Sequence, residues 1–346
     1  MGKLRFFDKL VFIVNSLFAT ALLLGYVLPY IPPETFPFLS ILNLGIPILL
    51  VINLAFLLYW IIKLKIQFLL SFLVLLLGFN HLLSLYRFSP EVNKDNAPED
   101  FSLMSYNVRQ FNRFQWIKND TVPQSIINFI KKESPDIVCI QDYYQKEAVD
   151  FSDYPYQYKA FKKHKTANSK FGQAIFSKFP IINKGDLNFP NTYNNVIYAD
   201  LKVGADTIRV FNIHLESLKI DPSVSELQKE DSEKLITRVG QSFRKQQLQT
   251  ETLLKEVKQT PYKTIIAGDL NNSAFSYVYQ KISEGFLDAF KVAGKGFGKT
   301  FVFDFIPLRI DVVLVEPDFE IKAFKNYNIQ LSDHYPIMTR LKLQTR

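Results

Sequence analysis

The chain has 346 residues, 48% of them hydrophobic, a formal net charge of +8 and one cysteine. That length holds one large core with a second region beside it. A single cysteine excludes an internal disulfide and any multi-cysteine zinc site, and the basic balance, most of it after residue 100, suits anionic partners such as phosphates or anionic lipid.

The apolar residues pile up before residue 87. Leu10–Leu28, Leu42–Ile62 and Ile66–Leu85 each approach the roughly 20 residues that a helix needs to cross a bilayer. Lys63 and Lys65 separate the second from the third. A cleaved signal peptide would account for one such stretch, not three. Tyr26, Tyr30, Tyr59, Trp60 and Tyr86 sit at stretch ends, where an aromatic belt places them. Asn15, Asn53, Asn80 and His81 fall inside the stretches and are read as hydrogen-bonding between helices. Lys3, Arg5 and Lys9 precede the first stretch, whereas the loop Ile31–Ile41 has no basic residue. The positive-inside rule then puts the N-terminus and the second loop in the cytoplasm, and three spans put everything after Tyr86 on the far side. Arg87 and Lys94 weigh against that orientation. The expected layout is a membrane anchor over 1–88, a polar linker over 89–100 and a soluble domain over 101–346, in a bacterial inner membrane with that domain facing the periplasm.

Short β-rich runs follow: Phe101–Asn107, Ile137–Gln141, Gln173–Ser177, Val196–Lys202, Thr207–His214, Lys263–Gly268, Asp311–Val315 and Pro336–Leu343. Thr121–Glu133 predicts a helix with Val122, Ile126, Ile127 and Ile130 on one face and Pro123 near its start. Glu233–Lys258 predicts a longer amphipathic helix. Strands mixed with a few helices, without strict βαβ alternation, point to an α/β or α+β layered fold. Cys139 lies in the apolar run Asp136–Ile140 and reads as a core residue. Ala293–Thr300 looks like a phosphate-binding loop, but the β-prone Phe301–Phe305 follows it where a helix is required, so it reads as a loop near the site.

Acidic, amide and imidazole side chains gather at the ends of these strands: Asn107, Asp142, Asn212, His214, Asp269, Asn271, Arg309, Asp311, Asp333 and His334. Strand ends hold side chains rigidly while the adjoining loops leave a site open. Any one of them alone is an ordinary turn, cap or sheet residue. The set in this order is not ordinary.

The segments Ser105–Asn107, Ile140–Asp142, Asn212–His214, Gly268–Asn271, Arg309–Asp311 and Ser332–His334, with Gly172–Ile181 as a central strand, resemble those of the endonuclease/exonuclease/phosphatase superfamily, which includes DNase I-like nucleases, neutral sphingomyelinases and inositol-phosphate phosphatases. The resemblance covers roughly residues 100–346. It implies a four-layer αββα sandwich, here preceded by three transmembrane helices. It also implies Mg²⁺ or Mn²⁺ held by Asn107, Asp142 and Asp333. Asp269 would activate the attacking water, and His334, paired with Asp311, would contact the phosphate. His214 would be a second phosphate contact or the general acid. Asn212, Asn271 and Arg309 would bind substrate. One residue departs from the pattern: the family has Glu where this chain has Asp142, which keeps the charge but reaches one methylene less.

Three functional readings follow from the same residues. One is a nuclease-like, metal-dependent phosphodiesterase or phosphomonoesterase, favoured by the basic domain, with nucleic acid a candidate substrate. Another is a sphingomyelinase-like hydrolase of lipid head groups, favoured by the anchor in the bilayer. The third is a catalytically weakened domain that binds a phosphorylated ligand, supported by Asp142 alone.

Overall fold

The structure, a computed structural model, describes residues 4–88, 99–146, 149–162, 170–220, 223–304 and 307–344. The linker expected over 89–100 lies almost wholly outside them.

The apolar N-terminal region folds into a helical bundle. It comprises α1 (Phe6–Gly25), the short α2 (Pro37–Leu42), α3 (Ile46–Ile62), α4 (Phe68–Leu77) and α5 (Phe79–Leu85), and runs into the two-residue strand β1 (Tyr86–Arg87). Phe6–Tyr30 and Pro37–Ile62 are long and apolar enough to cross a membrane. The third expected span is not one straight helix, because α4 and α5 meet at a 70° bend. The break falls at Gly78, where the Tyr26 ring occupies the space of a side chain: an added Cβ would meet its hydroxyl oxygen at 1.9 Å. That hydroxyl donates to the Val74 carbonyl at 3.2 Å, next to the break. Of the four polar residues expected to bond between helices, Asn15 and Asn53 do so. Asn15 donates to Ser71 Oγ at 2.8 Å and accepts from Trp60 Nε1 at 2.9 Å. Asn53 donates to the Phe18 carbonyl at 3.2 Å.

Two six-stranded sheets follow. One contains β2 (Asp100–Asn107), β3 (Ile137–Tyr144), β4 (Tyr156–Phe161), β5 (Phe171–Ser177), β13 (Phe319–Asn326) and β14 (Ile337–Leu343), in the order β13-β14-β2-β3-β5-β4. The other contains β6 (Ile181–Asp186), β7 (Asn195–Val203), β8 (Asp206–His214), β9 (Lys263–Asp269), β10 (Leu287–Asp288) and β12 (Asp311–Val315), in the order β10-β12-β9-β8-β7-β6. Among the described residues, only β2 with β3 and β8 with β9 run parallel.

Alternation along the strands builds the layers, because successive side chains point to opposite faces. Leu103, Ile137, Cys139 and Ile175 from one sheet meet Ile197, Val210, Ile265 and Val313 from the other in a central core. The outer face of the first sheet carries Met104, Val138 and Ile140 against Val122, Ile126, Ile127 and Ile130 of α7 (Val122–Glu133). On the outer face of the second, Phe211, Ile266 and Leu314 meet Leu253 of α9 (Ser232–Gln259) and Val278 of α10 (Tyr277–Ile282). Asp231 caps α9 by accepting from Lys234 N at 2.9 Å, which satisfies one of the orphan amides of its first turn. The order helix, sheet, sheet, helix is the expected sandwich. α11 (Ala289–Ala293) closes one end.

The bundle is docked against this sandwich. Phe275 is buried among Ala19, Leu22, Ile46, Leu50, Val74 and Leu75, and its burial contributes roughly 1.5–3 kcal/mol. The imidazole of His81 stacks on the same ring at 5.8 Å. Glu34 N donates to Gln247 Oε1 of α9 at 2.9 Å. The glycine-rich stretch Ala293–Thr300 belongs to this junction too. Its β11 (Gly296–Phe297) pairs antiparallel with β1, so it ties the end of the bundle to the domain and forms no nucleotide cradle.

Candidate active site

The parallel pairs β2/β3 and β8/β9 end at the same edge of the sandwich. Asn107 is the last residue of β2, His214 of β8 and Asp269 of β9. Sheet register puts His214 opposite Asp269, and Asp269 opposite Asp311, the first residue of β12. Three functional side chains therefore lie in one row across β8, β9 and β12. Gly268 makes the row possible. Its φ is +140°, and an added Cβ would meet the Ile213 carbonyl oxygen at 2.1 Å.

The other members arrive from the first sheet and its loops. A register shift between Ile140 and Tyr143 leaves Asp142 with a positive φ of 51°. Such a bulge re-aims a side chain, and here Asp142 Oδ1 stands 3.5 Å from His214 Nδ1. Asp333 and His334 precede β14 and are tied to β2 by Ser332, whose hydroxyl donates to the Asn107 carbonyl at 2.9 Å.

Distances define a cluster around Asp269. His334 Nδ1 is 2.9 Å from Asp311 Oδ2, and its Nε2 is 3.6 Å from Asp269 Oδ2. Asp269 also accepts from Asn107 Nδ2 at 3.0 Å and from Asn271 N at 2.7 Å. His214 Nε2 faces the same carboxylate oxygen at 3.6 Å. Asn107, Asp142 and Asp333 line the same cavity, and Asp333 acts electrostatically on Asp142. Arg109 pairs with Asp333 at 3.1 Å.

Electrostatics separates the roles. Burial draws the His334 imidazole down, but Asp311, Asp269 and Asp333 outweigh it and push the ring up to about 10. Burial lowers His214, and Asp269 offsets only part of that, so its ring is neutral near pH 7. Burial holds Asp269 above the usual carboxylate range, with His334 opposing. Burial, then the negative charge of Asp333, push Asp142 up to about 7.

Asp269, Asp311 and His334 lie close enough together to hold a metal ion. They already enclose a cation, however: both ring nitrogens of a protonated His334 face carboxylates. Asn107, Asp142 and Asp333 instead offer a carboxamide and two carboxylates, the hard oxygen donors that Mg²⁺ and Mn²⁺ select. Burial raises Asp142 first and the repulsion of Asp333 adds to it; a bound cation would relieve that repulsion.

The expected site residues Asn107, Asp142, His214, Asp269, Asn271, Asp311, Asp333 and His334 come together here. Two do not. Asn212 is fully buried between the sheets. Its Nδ2 donates to the Ile140 and Ala174 carbonyls, both at 2.9 Å, and its Oδ1 accepts from Gln141 Nε2 at 2.7 Å. It staples one sheet to the other and cannot reach substrate. Arg309 points away from the site, pairing with buried Asp288 at 2.8 Å and donating to the Ser84 carbonyl at 3.2 Å. Its partners are at the bundle junction.

Sequence reading also missed residues. Arg109 belongs to α6 (Arg109–Asn112), a single turn with positive φ at all four residues, a left-handed path that costs roughly 1–2 kcal/mol per residue. Asn112 holds it, donating to the Ile117 carbonyl at 2.7 Å and accepting from Ile117 N at 3.0 Å. Thr300 Oγ1 accepts from Asp311 N at 3.0 Å and so seats the partner of His334. Neither carries a signal in one sequence.

A family model described as Endonuclease/Exonuclease/phosphatase family matches residues 104–334. The chain belongs to this family. A second model, a domain of unknown function, matches residues 8–85. No curated protein sequence matches the chain. Among solved structures, an endonuclease/exonuclease/phosphatase from Bacteroides vulgatus superposes with a TM-score of 0.56 at 17% identity, over 71% of this chain and 99% of that one. TDP2 from D. rerio, complexed with single strand DNA product, gives 0.52 at 16% identity over 70% and 99%. The human Nocturnin catalytic domain with bound sulfate anion gives 0.53 at 15% identity over 72% and 96%. At these identities the likeness establishes the family's fold in this chain and leaves the substrate open.

Proposed function

We propose that the chain is a membrane-tethered, divalent-cation-dependent hydrolase of phosphate esters. Residues 1–88 serve as the anchor, 89–100 as the linker and 101–346 as the catalytic domain. The observation that carries this reading is the meeting of Asn107, Asp142, His214, Asp269, Asp311, Asp333 and His334 at one sheet edge, with the Asp311–His334 pair at 2.9 Å.

Ester hydrolysis needs a positioned water and relief of negative charge on phosphorus oxygens. A Mg²⁺ or Mn²⁺ ion held by Asn107, Asp142 and Asp333 would supply charge neutralisation and polarise the phosphate. Asp269, ionised and fixed by the Asn271 amide and Asn107, takes the proton of the attacking water. His334, kept protonated by Asp311, presents a cationic N–H to a phosphate oxygen. His214 is neutral and donates a second hydrogen bond there, which favours a contact role over that of general acid. Asn271, at the cavity wall, holds the same group.

The test uses the full chain in detergent with Mg²⁺ and bis-p-nitrophenyl phosphate. Asp269→Asn is expected to lose about 10²–10⁴-fold in rate while keeping the wild-type melting transition. A variant that kept the full rate would remove Asp269 from the water-activating role. Added chelator should abolish the wild-type rate.

A further inference from the structure

The site opens into a cavity of about 950 Å³. One wall is the chemistry already described. The cavity lining also includes the apolar side chains of Leu44, Leu218 and Ile220. Leu44 does not belong to the catalytic sandwich. It sits in the turn between α2 and α3, at the end of the bundle that docks on the domain. There Ile41, Leu44 and Ile220 pack on Leu218, Val239 and Phe243 as one cluster. On the helices either side of that turn, Phe38 and Leu42 of α2 are each 56% exposed, and Val51 of α3 is 61% exposed. Those faces are the ones a bilayer would cover. The rim of the cavity carries Arg109, Arg113 and Lys219. The cavity thus brings together the candidate hydrolytic centre, three basic side chains and an apolar side chain contributed by the N-terminal bundle.

We propose that the substrate is a phosphate ester of a membrane lipid, reached from the bilayer. Its tail lies along Leu44, Leu218 and Ile220 while its phosphate sits between His334 and the Asn107–Asp142–Asp333 oxygens. This rests on the hydrolase reading and names the substrate class for it. In the step, the water oxygen forms the new P–O bond and the ester P–O bond breaks. The proton taken by Asp269 balances the one the leaving alcohol acquires. A water-soluble polyanion gains nothing from those apolar side chains, and desolvating it there costs free energy. The nucleic-acid alternative draws on exposed Phe114 and Trp116 beside Arg113 and Arg109, and the same experiment separates it.

The full chain in detergent micelles with Mg²⁺ is given bis-p-nitrophenyl phosphate, a single-stranded oligonucleotide, and phosphatidic acid and phosphatidylglycerol in dioleoyl and dihexanoyl forms. A dioleoyl lipid should be turned over with a kcat/KM about tenfold or more above its dihexanoyl form. Leu44→Asp should collapse that ratio, and Ile220→Asp is the second variant if the first folds poorly. A readout free of turnover accompanies it: phosphatidic acid with a diazirine on its acyl chain, applied without metal, should label residues 217–220, and Leu44→Asp should weaken the labelling. Equal rates on long and short chains, labelling elsewhere, or cleavage of the oligonucleotide with neither lipid touched would each overturn the proposal. Inactivity on every substrate, bis-p-nitrophenyl phosphate included, would overturn the hydrolase reading instead, and the labelling would still decide whether lipid enters.

Discussion

At the residue scale, environment separates side chains that the sequence presents as equals. His214 and His334 both follow strand-end signals, yet one is driven neutral by burial and the other is held cationic by three carboxylates. This predicts a bell-shaped pH dependence of kcat/KM. Asp269 must be ionised, and its value lies above the usual carboxylate range of roughly 4, so activity is lost as pH falls through a limb displaced upward. His334 must be protonated, so activity is lost as pH rises toward about 10. Asp311→Asn should pull the alkaline limb down toward the ordinary imidazole value of about 6.5, a change that a purely structural role for Asp311 would not produce. Asn212 shows the limit of reading by residue type. An amide two positions before His214 suits phosphate binding as well as it suits a sheet-to-sheet staple, and only its burial with three strong hydrogen bonds decides. Asn212→Ala should therefore cost about 1–3 kcal/mol through the polar groups it strands, read as a lower melting temperature, with the KM for bis-p-nitrophenyl phosphate unmoved.

At the scale of elements, what the sequence made legible were the strands buried on both faces. The apolar runs predicted at 137–141, 173–177, 207–214, 263–268 and 311–315 all fall within observed strands, because a strand in the middle of a sandwich must be apolar throughout. β4, β6 and β13 escaped notice because each lies at the edge of its sheet. β6 reads Ile-Ile-Asn-Lys-Gly-Asp and is mostly exposed, so no hydrophobic period marks it. The bend between α4 and α5 was equally hidden: a glycine in an apolar run is unremarkable until Tyr26 is found in the space beside it. Gly268 carries a comparable constraint with a catalytic consequence. Gly268→Ala would drive a methyl against the Ile213 carbonyl oxygen and force an unfavourable positive φ on an L-residue. That should cost about 3 kcal/mol or more and displace Asp269. Melting temperature and turnover on bis-p-nitrophenyl phosphate should fall together, which distinguishes this variant from Asp269→Asn, where only turnover falls.

At the scale of the whole molecule, the proposed anchor raises the question of which side of a membrane the domain would occupy, and the bundle geometry bears on it. Asp8, at the start of α1, pairs with Lys63 just after α3 at 3.0 Å, so those two helix ends share one side. The opposite ends, through Leu22, Ile46 and Leu50, surround Phe275 of the domain. α4 sets out from the Lys63 side, and its Val74 and Leu75 join that same cluster, so the chain returns to the domain by the end of α4, and α5 stays against it through His81. Ten residues of α4 cover only about 15 Å, roughly half the hydrocarbon thickness, so α4 alone is too short to cross a bilayer. Lysines and arginines crowd the Asp8 side, at Lys9, Lys63 and Lys65, whereas the turn beside the domain has none between Ile31 and Ile41. The positive-inside rule then favours a cytoplasmic Asp8 side and an outward domain. Alkaline phosphatase fused after residue 88 and expressed in a bacterium should be active, since it folds only outside the cytoplasm. A silent fusion, with an active cytoplasmic reporter at the same position, would place the hydrolytic cleft on the inner leaflet and make that leaflet the source of any lipid it takes.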